Sequence, residues 1–570
     1  MHVGQDYEDL NWNNFVGRRQ IRQNTVPTFN EGTDQRDTNM GLLMEHLMNY
    51  EQTFGDHSVT AVAGITDQTN TFERLSAYGR NFPNEQLTEI DQATSDLNNT
   101  AYQLPSALRG MLVRANYSFA DRYLLTGSFR RDGSSRFGSG NKYGDFFSGS
   151  AGWVISEEPF FEGLPTGPLD YAKLRVSYGS LGNQDIGDFE YAASIAPNQT
   201  YVFGTTLATG ATQVSLANPN IRWQDQTQMN VGLDLRFMDE ALQLNADYYV
   251  SESDGLLVNA PIPWSLGASG EPRVNAGSVR NRGFELGAQW TLDRGDLQLT
   301  AAGNLTTIKN EVTALGNGGQ PLFVGFNGAN VARTTVGGSI GEFYVLKTDG
   351  IFQSQAEVDA YVNAQGQKLQ PNAKPGDIRY ADVNGDGVFN EQDRYVAGDP
   401  VPDLETGLSL DATFRRFTFG LAMRGSFGAK VFNSARYWSE RGDENSNYRA
   451  DYNPWTPTNT NTDDPRVVFG AEGNDNARIN SDRWLEDASF LRIQNVVVGY
   501  ALPTGLLDRV GVGVGQGTRV YLNVQNLYTF TGYSNWDPEV NSGNPLARGI
   551  DDARIYPNPR TVTLGIDLNL

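Results

Sequence analysis

The chain has 570 residues, no cysteine, three histidines (His2, His46, His57) and a formal net charge of −23. These counts exclude disulfides, thiolate metal centres and cysteine nucleophiles, leave a histidine-based catalytic site little to draw on, and disfavour nucleic acid as a partner. No run approaches the roughly eighteen apolar residues of a transmembrane helix, and the opening MHVGQDYEDLNW lacks the apolar core of a signal peptide.

Taken in chain order, the recurrent signal is alternation of apolar and polar residues, with glycine and aromatics abundant as strands and turns require. Met229, Val231, Leu233, Leu235 and Phe237 share one face of 229–237, a turn follows at MDE, and Leu242, Leu244, Ala246, Tyr248 and Val250 alternate on the return. The same grammar pairs 284–290 with 297–305 and 408–414 with 417–423, and closes the chain in TVTLGIDLNL, 561–570. One short helix is predicted at SQAEVDAY, 354–361, where Ser354 and Glu357 have capping-box spacing. The Asn-, Asp-, Pro- and Thr-rich segment 439–483 reads as an irregular loop.

A soluble sandwich also alternates, so the connections carry more information. Short links fall near 120–121, 238–240, 293–295 and 415–416, and long segments at 181–226, 252–282, 307–404, 428–488 and 529–559. Short turns at one end and long loops at the other are the asymmetry of an all-β, antiparallel transmembrane β-barrel, whose polar face lines the lumen. About fifteen strands are predicted.

Within 307–404 lies DVNGDGVFNEQD, 382–393, with the register of a calcium loop. Asp382, Asn384, Asp386, the Val388 carbonyl, Asn390 and Asp393 occupy the liganding positions, and Gly387 stands where the chain must turn sharply. Its flanks, KPGDIRYA and RYVAGDPVP, carry proline and glycine and cannot form the paired helices of a sensor. The expectation is a structural Ca2+ that stiffens a long extracellular loop by replacing the hydrophobic core such a loop lacks. Trp264, Tyr437, Trp438, Tyr533 and Trp536 lie in or beside long loops. They are candidate platforms for sugar rings or peptide side chains, and equally candidates for the interfacial girdle or a loop core. Arg130, Arg131 and Asp132 are expected to pair in a loop or the lumen wall. No phosphate loop, GxSxG or HExxH motif occurs, so an enzyme is not expected.

Several longer runs resemble the SusC/RagA family of TonB-dependent outer-membrane transporters. They are LLTGSFRRDGSSRFG (124–138), GSAGWVISEEPFF (149–161), AKLRVSYGSLGNQDIGDFEY (172–191), RWLEDASFLRIQNVVVGYALP (483–503) and VYLNVQNLYTFTGYSNWDPEV (520–540). NPNIRWQDQTQMNVGLD (218–234) and NAGSVRNRGFEL (275–286) are similar to motifs of TonB-dependent barrels more widely, and the acidic loop 376–394 to one of this family. The resemblance implies a plugged barrel of about twenty-two strands in the outer membrane of a Gram-negative, Bacteroidota-like cell. It also implies import of oligosaccharides or peptides, energy from TonB, and a SusD-like surface lipoprotein as lid. No plug or TonB box is matched, so the expectation is the C-terminal, barrel part of a longer protein. Two further readings stand beside it, a secreted β-rich glycan-binding module and a passive porin-like barrel.

Overall fold

A computed structural model describes residues 1–18, 29–161, 167–213, 216–259, 272–441, 447–468, 475–503, 518–540, 543–552 and 556–568. The chain divides into two compact units, each considered separately. The first comprises Met1–Trp153, Val176–Gln228 and Ser253–Ala276, and the second Val154–Arg175, Met229–Glu252 and Gly277–Leu570. No described helix is long and apolar enough to cross a membrane.

In the first unit, β1 (His2–Val16), β2 (Glu31–Phe54), β3 (His57–Arg80), β4 (Ser95–Phe119), β5 (Tyr123–Ser134) and β6 (Tyr143–Val154) pair in succession, all antiparallel. β2 and β3 form a hairpin about Gly55 and Asp56, with Gly55 at φ 59°. Ala120 and Asp121 take φ 52° and 55° between β4 and β5. Left-handed turns match the right-handed twist of the strands they join. One face of this sheet is apolar and exposed: Ile65 lies opposite Met111, Val113 opposite Phe129, and Phe129 opposite Phe147 with ring centroids 4.8 Å apart. The other face is polar. There the Asn116 amide donates to Thr60 Oγ1 and its oxygen accepts from Thr126, both at 3.0 Å. Arg130 pairs with Asp132 at 2.6 Å on this face, as the sequence suggested, but Arg131 does not join them and meets Asp145 at 3.5 Å. Higher on the apolar face, ion pairs take over, Arg109 to Asp67 at 2.6 Å and Arg36 to Asp9 at 2.5 Å.

In the second unit an antiparallel ladder runs through Ser278–Arg294, Leu297–Thr307, Leu404–Phe414, Phe417–Phe427, Phe490–Ala501, Arg519–Thr531 and Thr561–Asp567. Leu286 faces Leu305, Gly303 faces Leu408, and Leu408 faces Met423, so the predicted hairpins have the predicted faces. Val562, Leu564, Ile566 and Leu568 are all more than half exposed, as a surface turned toward hydrocarbon requires.

The long segment after residue 307 is where the structure corrects the sequence reading. It does not lack a hydrophobic core. Leu322–Phe326, Ala329–Thr334, Glu342–Leu346 and Arg394–Gly398 form a four-stranded sheet in that order. Val331, Ala332, Phe343 and Val345 from it are buried with Phe432, Tyr437, Trp484 and Ile550. The predicted helix is present as α1 (Gln355–Ala360), with the Ser354 hydroxyl accepting from the Glu357 amide at 3.3 Å. The segment read as irregular is entered by α2 (Ser434–Glu440). The α2 residue Glu440 has a fully buried carboxylate held by Arg436 at 2.7 Å, Arg483 at 2.9 Å and Arg449 at 3.2 Å. Arg449 and Arg483 also meet Asp464, at 3.1 and 3.2 Å. This network ties α2 to the irregular chain around Arg449 and Asp464 and to the 3-10 turn Asp482–Trp484.

Removing one partner strands the other charges away from water. Glu440→Ala is therefore expected to cost the loop module about 3–5 kcal/mol. Limited proteolysis in rising denaturant should show cleavage between 430 and 485 well before the strands are cut. Simultaneous loss of both would contradict the assignment.

Candidate functional site

The acidic loop runs from the strand Ile378–Tyr380 to a single 3-10 turn, Glu391–Asp393, which leads into Arg394–Gly398. Its flanks are strands, in keeping with the proline and glycine there. Asp382 accepts from the amides of Gly385 and Gly387, both at 2.8 Å. Asn384 accepts from Asp386 at 2.9 Å, and Asp386 from Val388 at 2.8 Å. Gly387 takes φ 79°, a conformation side chains resist. The Val388 carbonyl accepts from the Asn390 amide group at 3.1 Å, and the Asn390 oxygen accepts from the Gln392 backbone at 2.7 Å. Asp393 is fully buried, with one oxygen on the amides of Val383 and Asn384 and the other on Asn390 at 2.7 Å. The loop is thus a closed set of side-chain-to-backbone bonds. Among the described residues no three acidic or histidine side chains converge as a metal site. A carboxylate offers about four lone-pair positions, so these bonds leave oxygen capacity on Asp382, Asp386 and Asp393.

The five aromatic candidates do not form one platform. Trp264 lies outside the described residues. Tyr437 is 1 % exposed, its ring 5.4 Å from Trp484 and 5.1 Å from Trp438, inside the loop core. Trp438 is half-buried beside it, with the Arg441 guanidinium 5.2 Å from its ring. Tyr533 is buried and donates its hydroxyl to Asp551 at 2.6 Å. Burial and that carboxylate push the phenol well above its ordinary range, so it stays protonated. Neither Tyr437 nor Tyr533 presents a free ring face. Trp536 does, at 78 % exposed.

Trp536 stands at a polar cleft of about 250 Å³ that also involves Arg492, Asn526, Thr529, Asp537, Asn558 and Arg560. Arg492, only 7 % exposed in its side chain, is the hub. It donates to Thr529 at 2.9 Å, to Asp537 at 2.7 Å, and to Glu539. Glu539 also accepts from Arg424 at 2.7 Å, and Asp537 from the Asn558 amide at 2.9 Å. The second strip of the cleft is pinned where Asn526 donates to the Pro559 carbonyl at 3.0 Å. An exposed indole beside fixed amide, guanidinium and carboxylate groups can stack on an apolar ring or sugar face and hydrogen-bond its rim. Sequence reasoning found Trp536 from its loop position. It missed Arg492, Asp537 and Asn558, which no local spacing connects.

Burial pushes the Asp537 carboxyl up, but the Glu539 amide, Arg492 and Asn558 outweigh it and hold the group below its ordinary value. A depressed carboxylate contributes stability that is full above its unfolded value, about 3.9, and is lost as pH falls through the lower folded value. Trp536 fluorescence and its quenching should therefore hold steady to about pH 4 and change only below it. Asp537→Asn should remove that acid limb, and an unchanged limb would assign it to another group.

The family described as TonB dependent receptor-like, beta-barrel matches residues 2–527. TonB-dependent receptor P3 of Formosa agariphila is 31% identical over 552 residues, covering 94% of this chain and 53% of that protein. TonB-dependent receptor SusC of Bacteroides thetaiotaomicron is 30% identical over 484 residues, covering 82% of this chain and 44% of SusC. The chain spans about half the length of the curated relatives it matches. Among solved structures, the RagAB peptide transporter superposes with a TM-score of 0.82 at 23% identity, over 99% of this chain and 59% of that one. The ladders with one apolar face, the match along most of the sequence and this fold together place the chain in the TonB-dependent outer-membrane receptor family, of SusC/RagA type.

Proposed function

We propose that this chain supplies the barrel wall and extracellular loops of an importer for large nutrients, oligosaccharides or peptides. In the complete protein it is driven through TonB, and a SusD-like surface lipoprotein closes over the loops. The observation that carries this reading is that the long ladders of each unit have a stretch with one exposed apolar face and one polar face, and that the second unit also carries a loop module with its own core. A secreted glycan-binding module would have no use for apolar side chains as exposed as those of Thr561–Asp567. The names of SusC and of the RagAB peptide transporter among its relatives support a transport role and leave both substrate classes in play. Trp536 is the contact we assign to substrate, with the Arg492–Asp537 pair fixing the cleft beside it.

The test is uptake of labelled oligosaccharides and peptides by cells carrying the full-length gene, with and without TonB. TonB-dependent uptake of one class supports the reading, and equal uptake without TonB sinks it. Loss of a stacking aromatic is worth about 0.5–1.5 kcal/mol. Trp536→Ala should therefore weaken substrate binding by roughly two- to twelvefold and leave the barrel folded.

We also propose that the loop at 382–393 takes a calcium ion, held by the carboxylates of Asp382, Asp386 and Asp393, the side-chain oxygens of Asn384 and Asn390, and the Val388 carbonyl. A hard cation needs six to eight oxygens, and these residues offer that number through lone pairs not engaged by backbone amides. Asp382→Ala with Asp386→Ala should increase protease cutting within 370–400. A chelator should do the same to the unaltered protein. Cutting that responds to the substitutions and ignores the chelator would assign the stiffness to hydrogen bonds alone.

A further inference from the structure

The apolar face of the second unit is not evenly covered. Around Gly303 and Ala288 it sinks into a groove of about 450 Å³, walled by Leu286, Leu305, Leu408 and Met423. Nearly all its lining is hydrocarbon, and it is continuous with the exposed apolar face of the same ladder, so lipid is what lies against it. A side chain added at Gly303 would first meet the Gly407 carbonyl at 3.6 Å and Leu408 at 3.8 Å, ordinary contacts, so the groove is open space.

Directly above it stands a second anomaly. Arg282 and Lys309 are cross-strand partners, and two like charges opposite one another repel. The ladder is interrupted at Ile308, but the pairings Glu285↔Thr306 and Arg282↔Lys309 on either side have the same offset, which puts both basic residues on the face of Leu286 and Leu305. The intervening Asn281 and Asn310 point the other way, hydrogen-bonded to each other at 2.7 Å, while Asn310 also accepts from the Ile340 amide at 2.8 Å. One step further, Arg280 is neutralised by Glu252 at 2.6 Å and lies opposite Glu311. Arg282 and Lys309 meet no carboxylate within 4.0 Å among the described residues. Phe284, 43 % exposed, sits between the basic pair and the groove, where barrels place aromatics at the headgroup level. Four residues of strand separate Arg282 from Leu286, about 13 Å, the scale of a lipid headgroup and its first methylenes.

We propose that this wall binds one phosphorylated lipid of the outward-facing leaflet, an acyl chain in the groove and its phosphate between Arg282 and Lys309. The phosphate would relieve the repulsion of the pair and accept two parallel bonds from the guanidinium. Nothing in the transport reading requires this site.

The full-length protein would be reconstituted in phosphatidylcholine nanodiscs containing a minor fraction of phosphatidylglycerol, then extracted in detergent. Mass spectrometry would count the lipid retained on each chain. The unaltered protein should retain phosphatidylglycerol well above its share of the disc. Arg282→Gln with Lys309→Gln should lower that enrichment by roughly tenfold or more. Gly303→Leu should lower it with the basic pair intact, and resistance to detergent unfolding shows whether that variant is still a barrel. Enrichment unchanged in the charge variant overturns the proposal. So does a second copy of the chain retained in place of lipid, or inorganic phosphate binding the pair equally well in Gly303→Leu.

Discussion

Hydrocarbon offers no partner to a peptide group, and this one fact organises the chain. Every amide and carbonyl within the membrane must be satisfied by a neighbouring strand, so the strands pair antiparallel along unbroken ladders such as that of β2 with β3. Once the ladder is fixed, side chains have two directions only. The Leu305, Leu408 and Met423 side can meet lipid, and the Asn116, Thr126 and Arg130 side cannot. Within the hydrophobic belt the polar side chains are thereby confined to one face, and polar groups return to the other face only where the ladder runs beyond the belt, as at Arg109 and Asp67.

Charge follows the same division. A chain with a net charge of −23 would repel itself if its carboxylates gathered unpaired. Instead, several of the buried ones are met by arginine, Glu440 by Arg436, Arg449 and Arg483, and Asp537 by Arg492, while Asp393 rests on backbone amides and Asp551 on the Tyr533 hydroxyl. The fork-shaped arginine contacts hold irregular chain in register where strands are absent. The loop module therefore rests on two supports, an aromatic core around Trp484 and Tyr437 and a guanidinium–carboxylate frame, and both were invisible to a local reading.

That contrast explains what could be read from the sequence. The hairpins at 284–305 and 408–423 and the final strand were legible, because lipid on one side enforces strict alternation. The strands of the first 119 residues were not. In their upper parts, as in TDQTNTFERLS of β3, both faces are polar and the period vanishes. The acidic loop was legible as a turn, since its side chains bond within two to five residues of themselves, except Asp393, which also reaches back to Asn384 and Val383. The loop core was not, because Val331, Phe432, Trp484 and Ile550 come from four distant segments. Among the aromatic candidates, position in a loop could not distinguish Tyr437 and Tyr533, which are buried, from Trp536, which is bare.

The length of β2, β3 and β4 carries the sheet past the part that lipid can cover. A strand needs about 9–11 residues to cross a bilayer, and these run for 24, 24 and 25. Beyond Ile65 the lipid-side positions of β3 turn to Asp67, Thr69, Thr71 and Glu73, so the hydrophobic belt ends there while the hydrogen-bonded ladder continues. The residues of β3 beyond Ile65 continue for roughly 50 Å of strand at about 3.3 Å each, and for less than that in height because barrel strands tilt. The first unit is therefore a wall whose hydrogen-bonded ladder outlasts its hydrophobic belt: past Ile65 the strands β2, β3 and β4 stay joined by backbone bonds and by cross-strand ion pairs such as Arg109–Asp67 and Arg74–Asp37, with no need of lipid on their outer side.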